Sequence, residues 1–203
     1  MNEEVENKSQ RNMGRYMLFL MVFTFVIPIG AAYWLFSVGG TDIKVNKGEF
    51  VKSGVQILDM GLTNLDGTAA TEEDLFGHWH MMYYMVSDCD KACEEKIYTL
   101  RQIKTSFHKE SDRIENILIH FDNNINPDFS NKIETHYANF NRYIADREKF
   151  NQMLGFNGNE LIDKEIVFIV DPIGNVILRY GKESTAKDII SDLKRLLKAS
   201  QIG

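Results

Sequence analysis

The chain is short of several residue types, and each shortage closes off a class of protein. It has only two cysteines and three prolines in 203 residues. Two cysteines exclude a small secreted fold held together by several disulfides. Cys89 and Cys93 would close so small a loop that a bond between them could not staple the fold. If they matter, they matter as chemistry; the bland alternative is two unrelated thiols, one of them buried. The formal net charge is −6 and no Lys/Arg cluster stands out, so the basic stripe of a nucleic-acid binder is missing. The glycines punctuate turns and form no phosphate-cradling loop. Internal repeats and low-complexity tracts are absent.

One long apolar run is present. Tyr16 to Val38 contains no charged residue. At about 1.5 Å per residue a helix of this length crosses a hydrocarbon core of about 30 Å. Tyr16 at one end and Tyr33 and Trp34 at the other suit the two interfaces. Pro28 is tolerable in a membrane helix. A cleaved signal peptide is the competing reading. It fits less well because the run is long and Gly30-Ala31-Ala32 is followed by more apolar surface. The expected organisation is a cytoplasmic tail over residues 1–15, a transmembrane helix over 16–38, a linker over 39–52 and one domain over 53–203. Arg11 and Arg15 favour a cytoplasmic N-terminus, though Lys44 and Lys47 lie beyond the other end.

Beyond the linker, strand and helix patterns alternate. Val55 to Leu65 reads as extended, with a turn at Asp66-Gly67. Thr71 followed by Glu72, Glu73 and Asp74 reads as a capped short helix. His80 to Val86 has no polar alternation, which fits a central strand covered on both faces. The next helix places Ile97, Leu100, Ile103 and Phe107 on one stripe. Asn116 to Asp122 is a second buried strand, and Asn123 to Ser130 a polar loop holding Pro127. A helix follows over Lys132 to Asn139, a strand over Phe140 to Ile144, and a helix over Ala145 to Leu154 ending at Gly155. Glu165 to Asp171 and Asn175 to Tyr180 read as a hairpin about Asp171-Pro172-Ile173-Gly174. Ser184 to Ala199 closes the domain as an amphipathic helix with Ile189, Ile190, Leu193, Leu196 and Leu197 inward. This succession describes a three-layer α/β domain around a central mixed sheet.

The chemistry centres on Trp79 to Leu100. An aromatic strand runs into Cys89 and Cys93, and a charged helix follows at once. That order presents thiols at the carboxyl end of a strand. Spaced four apart, the two sulfurs share one helix face and can close a disulfide or grip one soft metal ion. A helix N-terminus activates thiolates. Asp88, Asp90, Glu94 and Glu95 oppose this, with Lys91 and Lys96 in partial compensation. The same acids would help a bound cation, which tilts the balance toward metal.

The Gly77-His78-Trp79 lead-in, the aromatic strand, the stretch Ser-Asp-Cys-Asp-Lys-Ala-Cys and the distant Val-Asp-Pro-Ile-Gly-Asn hairpin resemble the Sco/SenC proteins. The resemblance runs over most of residues 53 to 200. It implies a membrane-anchored, thioredoxin-like fold and a role in delivering copper to cytochrome c oxidase. Cys89 and Cys93 match the family's copper-binding and redox cysteines. The implied cargo is Cu(I), and the implied partner is a cytochrome c oxidase subunit or another copper-handling assembly protein. The implied place is the bacterial inner membrane, with the C-terminal domain periplasmic. The chain departs from the family pattern twice. Leu161 to Ile166 holds no histidine where the family carries a third copper ligand, and Glu94 stands where a proline usually follows the second cysteine.

His78 and His80 flank Trp79 at the amino end of the strand, away from the thiols, and read as structural or solvent-facing. His120 reads either as a satisfied core histidine or as one pointing to the cysteine end of the sheet. His108 and His136 read as exposed, and Met81, Met82 and Met85 as core filling. Three functions compete: a copper-handling assembly factor, a thiol–disulfide oxidoreductase that reduces partner cysteines, and a tethered interaction domain with a mere short disulfide. The first is expected over an enzyme. No proline lies between Pro127 and Pro172, so the cis-proline that grips substrates in thioredoxin-type enzymes is missing. No Pro-x-x-x-Thr-x-x-Cys pattern of a peroxidase leads into Cys89.

Overall fold

Trp79–Met85 (β3) is the middle strand of a seven-stranded sheet, and all seven of its residues are buried. The computed structural model describes residues 2–38, 46–52, 54–85, 89–121, 126–156 and 165–200. These fall into two compact units, Met1–Val45 and Asn46–Gly203.

The first unit is a helix, Asn2–Val38 (α1), with Pro28 inside it. Its Tyr16–Leu35 window is long and apolar enough to cross a membrane and is not buried by the protein. Residues 2–15, expected as a polar tail, continue this helix.

The second unit holds the sheet. Its strands are Glu49–Phe50 (β1), Thr63–Asn64 (β2), β3, Ile114–His120 (β4), Phe140–Ile144 (β5), Val167–Val170 (β6) and Val176–Tyr180 (β7). They lie side by side in the order β1-β7-β6-β3-β4-β5-β2. β3, β4 and β5 are parallel, so their carboxyl ends share one end of the sheet. β6 runs against β3 and returns through β7 as an antiparallel hairpin. The turn between them is built locally. The Asp171 carboxylate accepts from the amides of Ile173 and Asn175, and Gly174 takes the left-handed φ of 87°.

Alternation along the strands makes two cores. Trp79, Met81, Tyr83 and Met85 face Lys91–Ser106 (α3), Pro127–His136 (α4) and Ala186–Ala199 (α6). Met82 and Tyr84 face the opposite side, with Leu75 of Glu72–Leu75 (α2) and Phe150 and Leu154 of Arg147–Leu154 (α5). Helices on both faces of a mixed sheet give the three-layer, thioredoxin-like fold expected. The expected cap at Thr71, whose hydroxyl engages Asp74, and the expected end of α5 at Gly155, with a left-handed φ of 75°, are present. Thr185 caps α6 in the same way through Asp188, which the sequence reading did not single out.

Some expectations are corrected. Glu49 and Phe50, assigned to the linker, pair with Arg179 and Leu178 as an edge strand. The approach to them is fixed by Asp192, whose buried carboxylate accepts from the amides of Lys47 and Gly48 and from the Tyr180 hydroxyl. That partner is 144 residues from Gly48, beyond any local pattern. The extended reading of residues 55–65 is interrupted by a 3-10 turn, Leu58–Met60. Pro127 does not sit in a loop. It occupies the first turn of α4, where its missing N–H costs nothing, behind the Asn126 cap. Residues 39–45, 122–125 and 157–164 lie outside the described residues. Those gaps take in part of the expected linker, part of the expected polar loop, and residues 161–164 of the stretch without the family histidine.

Candidate functional site

Three residues after β3 lie outside the described set, and the chain re-enters it at Cys89. Asp90 then caps α3. Its carboxylate accepts from the Cys93 amide at 2.9 Å, while its carbonyl accepts from the Glu94 amide. Cys93 therefore sits in the first turn of a 16-residue helix. Cys89 and Cys93 form a disulfide, with their Cα atoms 5.3 Å apart. Both are partly buried and pack against the core cluster that holds Tyr83, Met85 and Ile97. Cys93, Ile97 and Leu100 share one helix stripe, so Cys93 lies on the side of α3 that faces the sheet. Freed from its bond, a thiol here would feel the positive end of the helix dipole, which favours the thiolate.

The acids around the pair are less opposing than their sequence positions suggest. The Asp90 carboxylate is engaged as the helix cap. Glu94 is paired with Lys132 of α4 at 2.6 Å, and Glu95 lies 3.9 Å from Lys91. Lys132 was not foreseen as part of the site. It comes from another helix, and no spacing rule links it to the cysteines. Asp88 lies outside the described residues.

Beneath this end of the sheet lies Tyr83. Burial pushes its phenol pKa well above the ordinary value, and the neighbouring Glu165, Tyr84 and Asp90 add to the rise. Tyr83 is therefore a neutral hydroxyl at any physiological pH. Its aromatic neighbours in the sequence gave no sign of this, because the acids reach it only through the fold.

The histidines separate into two groups. His80 is fully buried at the amino end of β3. Its Nε2 is 2.8 Å from the Leu75 carbonyl and its Nδ1 is 3.6 Å from Glu115. Burial lowers its pKa, against the pull of Glu115. It is structural, as expected, and not solvent-facing; His78 is half-exposed, with Nδ1 3.7 Å from Glu115. His120 is different. It is the last residue of β4 and pairs in register with Met85, the last residue of β3. It is 3 % exposed, and its Nε2 has no hydrogen-bond partner. Burial, with the Arg142 guanidinium, lowers its pKa to about 4. His108 and His136 are exposed. Met81 and Met82 are core filling on opposite faces of the sheet, as expected.

No three His, Cys, Asp or Glu side chains are gathered to hold a metal among the described residues. Two sulfurs four apart are a donor pair suited to a soft cation, and the imidazole of His120, with Nε2 unpartnered, lies on the same face of the sheet.

Comparison with known proteins agrees with this geometry. The family model described as "transmembrane-like, thioredoxin-like, C-terminal domain" matches residues 79–200. No curated protein matches the chain. Among solved structures, yeast Sco1 superposes with a TM-score of 0.58 at 15 % identity, covering 73 % of this chain and 98 % of its own. Arabidopsis thaliana ScoI, solved with copper bound, gives 0.55 at 14 % identity, covering 75 % and 99 %. BsSco, described as having a disulfide switch and as a member of the Sco family of cytochrome c oxidase assembly proteins, gives 0.56 at 17 %, covering 77 % and 99 %. At these identities the likeness to Sco structures is one of fold.

Proposed function

Because this chain belongs to the transmembrane-like, thioredoxin-like C-terminal domain family, we propose that it is a membrane-anchored thiol protein assisting copper delivery to cytochrome c oxidase, or assembly of that enzyme. The site is Cys89 and Cys93. The observation that carries the reading is their placement. Two partly buried sulfurs, four residues apart, flank the Asp90 cap of a helix beyond the carboxyl end of the central strand, Cys89 just before the cap and Cys93 in the first turn. The copper-bound Arabidopsis protein and the disulfide switch of BsSco, both of this fold, support it.

The chemistry follows from the two states of the pair. A thiol reductant delivers two electrons and two protons to the disulfide, and two thiols result. Cu(I) displaces their protons and is held between two thiolates as cargo. The helix N-terminus lowers the cost of the two negative charges, and so does the pairing of Glu94 with Lys132. The partner is a cytochrome c oxidase subunit or another copper-handling assembly protein. Residues 16–38 span the bacterial inner membrane once, residues 1–15 are cytoplasmic, and the domain is periplasmic. In that oxidising compartment the resting pair is the disulfide, so loading needs a dedicated reductant.

A second reading is favoured by the closed bond itself. Reduced Cys89 and Cys93 would pass two electrons to a partner's disulfide, leaving the partner as a dithiol and themselves as the disulfide. Titrating the reduced full-length chain in detergent with Cu(I) against a competing chelator separates the two. Tight one-to-one binding, lost equally in Cys89→Ala, Cys93→Ala and the double variant, is the expected result. Binding no tighter than that of the double variant would sink the copper reading and leave the reduction potential of the pair as the property to measure.

A further inference from the structure

We infer that His120 supplies the third ligand of the copper site, its imidazole joining the two thiolates of Cys89 and Cys93. This rests on the copper reading above and names a residue that neither the family model nor the resemblance assigns.

His120 ends β4, and β4 is parallel to β3, so its side chain is at the end of the sheet from which the chain runs on to Cys89. It is on the cysteine face. Ile117 and Ile119 of β4 belong to one core and Ile114 and Leu118 to the other, and His120 has the parity of Leu118. That second core is the one against which both cysteines pack. Met85 lies directly beside His120 in register, on the same face, and offers a thioether, a donor that suits Cu(I) over harder ions.

The imidazole also lacks what a structural histidine has. A buried polar atom without a partner costs about 1–3 kcal/mol, and such atoms are few in native proteins. His80, on the same sheet, satisfies its Nε2 on the Leu75 carbonyl and leaves only its Nδ1 without a hydrogen bond, 3.6 Å from the Glu115 carboxylate. The Nε2 of His120 has no counterpart to that bond. Burial keeps the ring neutral at physiological pH, so in the tautomer with the proton on Nδ1 the Nε2 lone pair can bind a metal. Arg142, the cation that lowers the His120 pKa, is paired with Glu134 at 2.8 Å and donates to Ser130, which moderates its repulsion of a bound ion. In the closed disulfide each sulfur is bonded to the other, and among the described residues no three-ligand group is gathered. Reduction frees both sulfurs, and Cys93 is already on the helix stripe that faces the sheet.

The test compares the reduced full-length chain, His120→Gln and the Cys89→Ala, Cys93→Ala double variant. Each is titrated with Cu(I) against a chromophoric chelator and examined by X-ray absorption at the copper edge. Expected for the unaltered chain is one copper with two sulfur scatterers and one imidazole. Expected for His120→Gln is loss of the imidazole signal and binding weaker by about tenfold or more, that is about 1.4 kcal/mol or more. An unaltered chain that binds through sulfur with no imidazole signal overturns this inference alone, and needs no variant to fold. The same holds if His120→Gln binds as tightly with the same spectrum. Failure of the unaltered chain to bind above the double variant overturns the copper reading and this inference with it.

Discussion

The ammonium of Lys132 lies 2.6 Å from the Glu94 carboxylate, and so ties the middle of α4 to the first turn of α3, one residue past Cys93. Without it, an unpaired carboxylate would sit beside the thiol that the helix dipole favours as an anion. Lys132→Ala should raise the pKa of the reduced Cys93 thiol by a few tenths of a unit. Both side chains are more than a third exposed, and solvent screening keeps the effect small. Thiolate ultraviolet absorbance against pH measures it. An unchanged or lowered value would show that Glu94 has no influence on the pair.

Acid should destabilise the domain in a definite window. His120 has a pKa of about 4 in the folded chain, against 6.5 when unfolded, because burial disfavours its charged form. Between those values only the unfolded state takes up the proton, so stability falls as pH falls from about 6.5 to 4 and levels off below. Each such pH unit costs about 1.4 kcal/mol, so the loss from His120 is on the order of 3 kcal/mol. His80, also lowered, acts in the same direction. Denaturant melts across this range should show a shallower slope for His120→Gln than for the unaltered chain. Equal slopes would refute the assignment.

The clamp at Asp192 should be expensive to remove. Its fully buried carboxylate accepts from two backbone amides and from the Tyr180 hydroxyl. Asp192→Ala strands those donors and should cost about 3 kcal/mol or more. Gly48→Ala tests the same contact from the other side. An added Cβ would lie 2.6 Å from the Tyr180 ring, so that ring must shift, at a cost of about 1–3 kcal/mol. Thermal melts of both variants check this, and a melting temperature within a degree or so of the unaltered chain for either would contradict it.

Reduction of Cys89–Cys93 should loosen the domain without unfolding it. The closed loop is short, so its chain-entropy contribution is about 2 kcal/mol at most. Both core clusters are built from residues that do not depend on the bond. Circular dichroism with and without a thiol reductant should show the same helix and strand content and a modestly lower melting temperature. Collapse of the structure on reduction would make the pair a staple and weaken any role for it in chemistry.

Local patterns carried much of this protein. The unbroken apolar run from Tyr16 forms a helix because twenty uncharged residues leave the backbone no better partner than itself. β3 was readable because seven residues without polar alternation suit a strand covered on both sides. The caps at Thr71 and Thr185 and the turn at Asp171-Pro172-Ile173-Gly174 depend on neighbours within a few residues. The pairing of Cys89 with Cys93 was readable from their closeness in the chain, although Cys89 lies just before the Asp90 cap and the two do not share a helix face as the spacing suggested. The start of α4 was misplaced because Pro127 serves a helix's first turn as well as a loop, and only packing of Phe129 and Ile133 decides between them.

Contacts between distant segments were settled by the fold. Lys132 meets Glu94, Glu165 and Asp90 reach Tyr83, and the approach segment at Gly48 meets Asp192, all across separations that periodicity does not encode. His120 had two readings in the sequence. The sheet register chose between them by setting it beside Met85 at the thiol end, in a core that left its Nε2 without a partner. Period and propensity act over a few residues, whereas charge pairing and desolvation depend on which distant segments the closed sheet brings within a few ångströms.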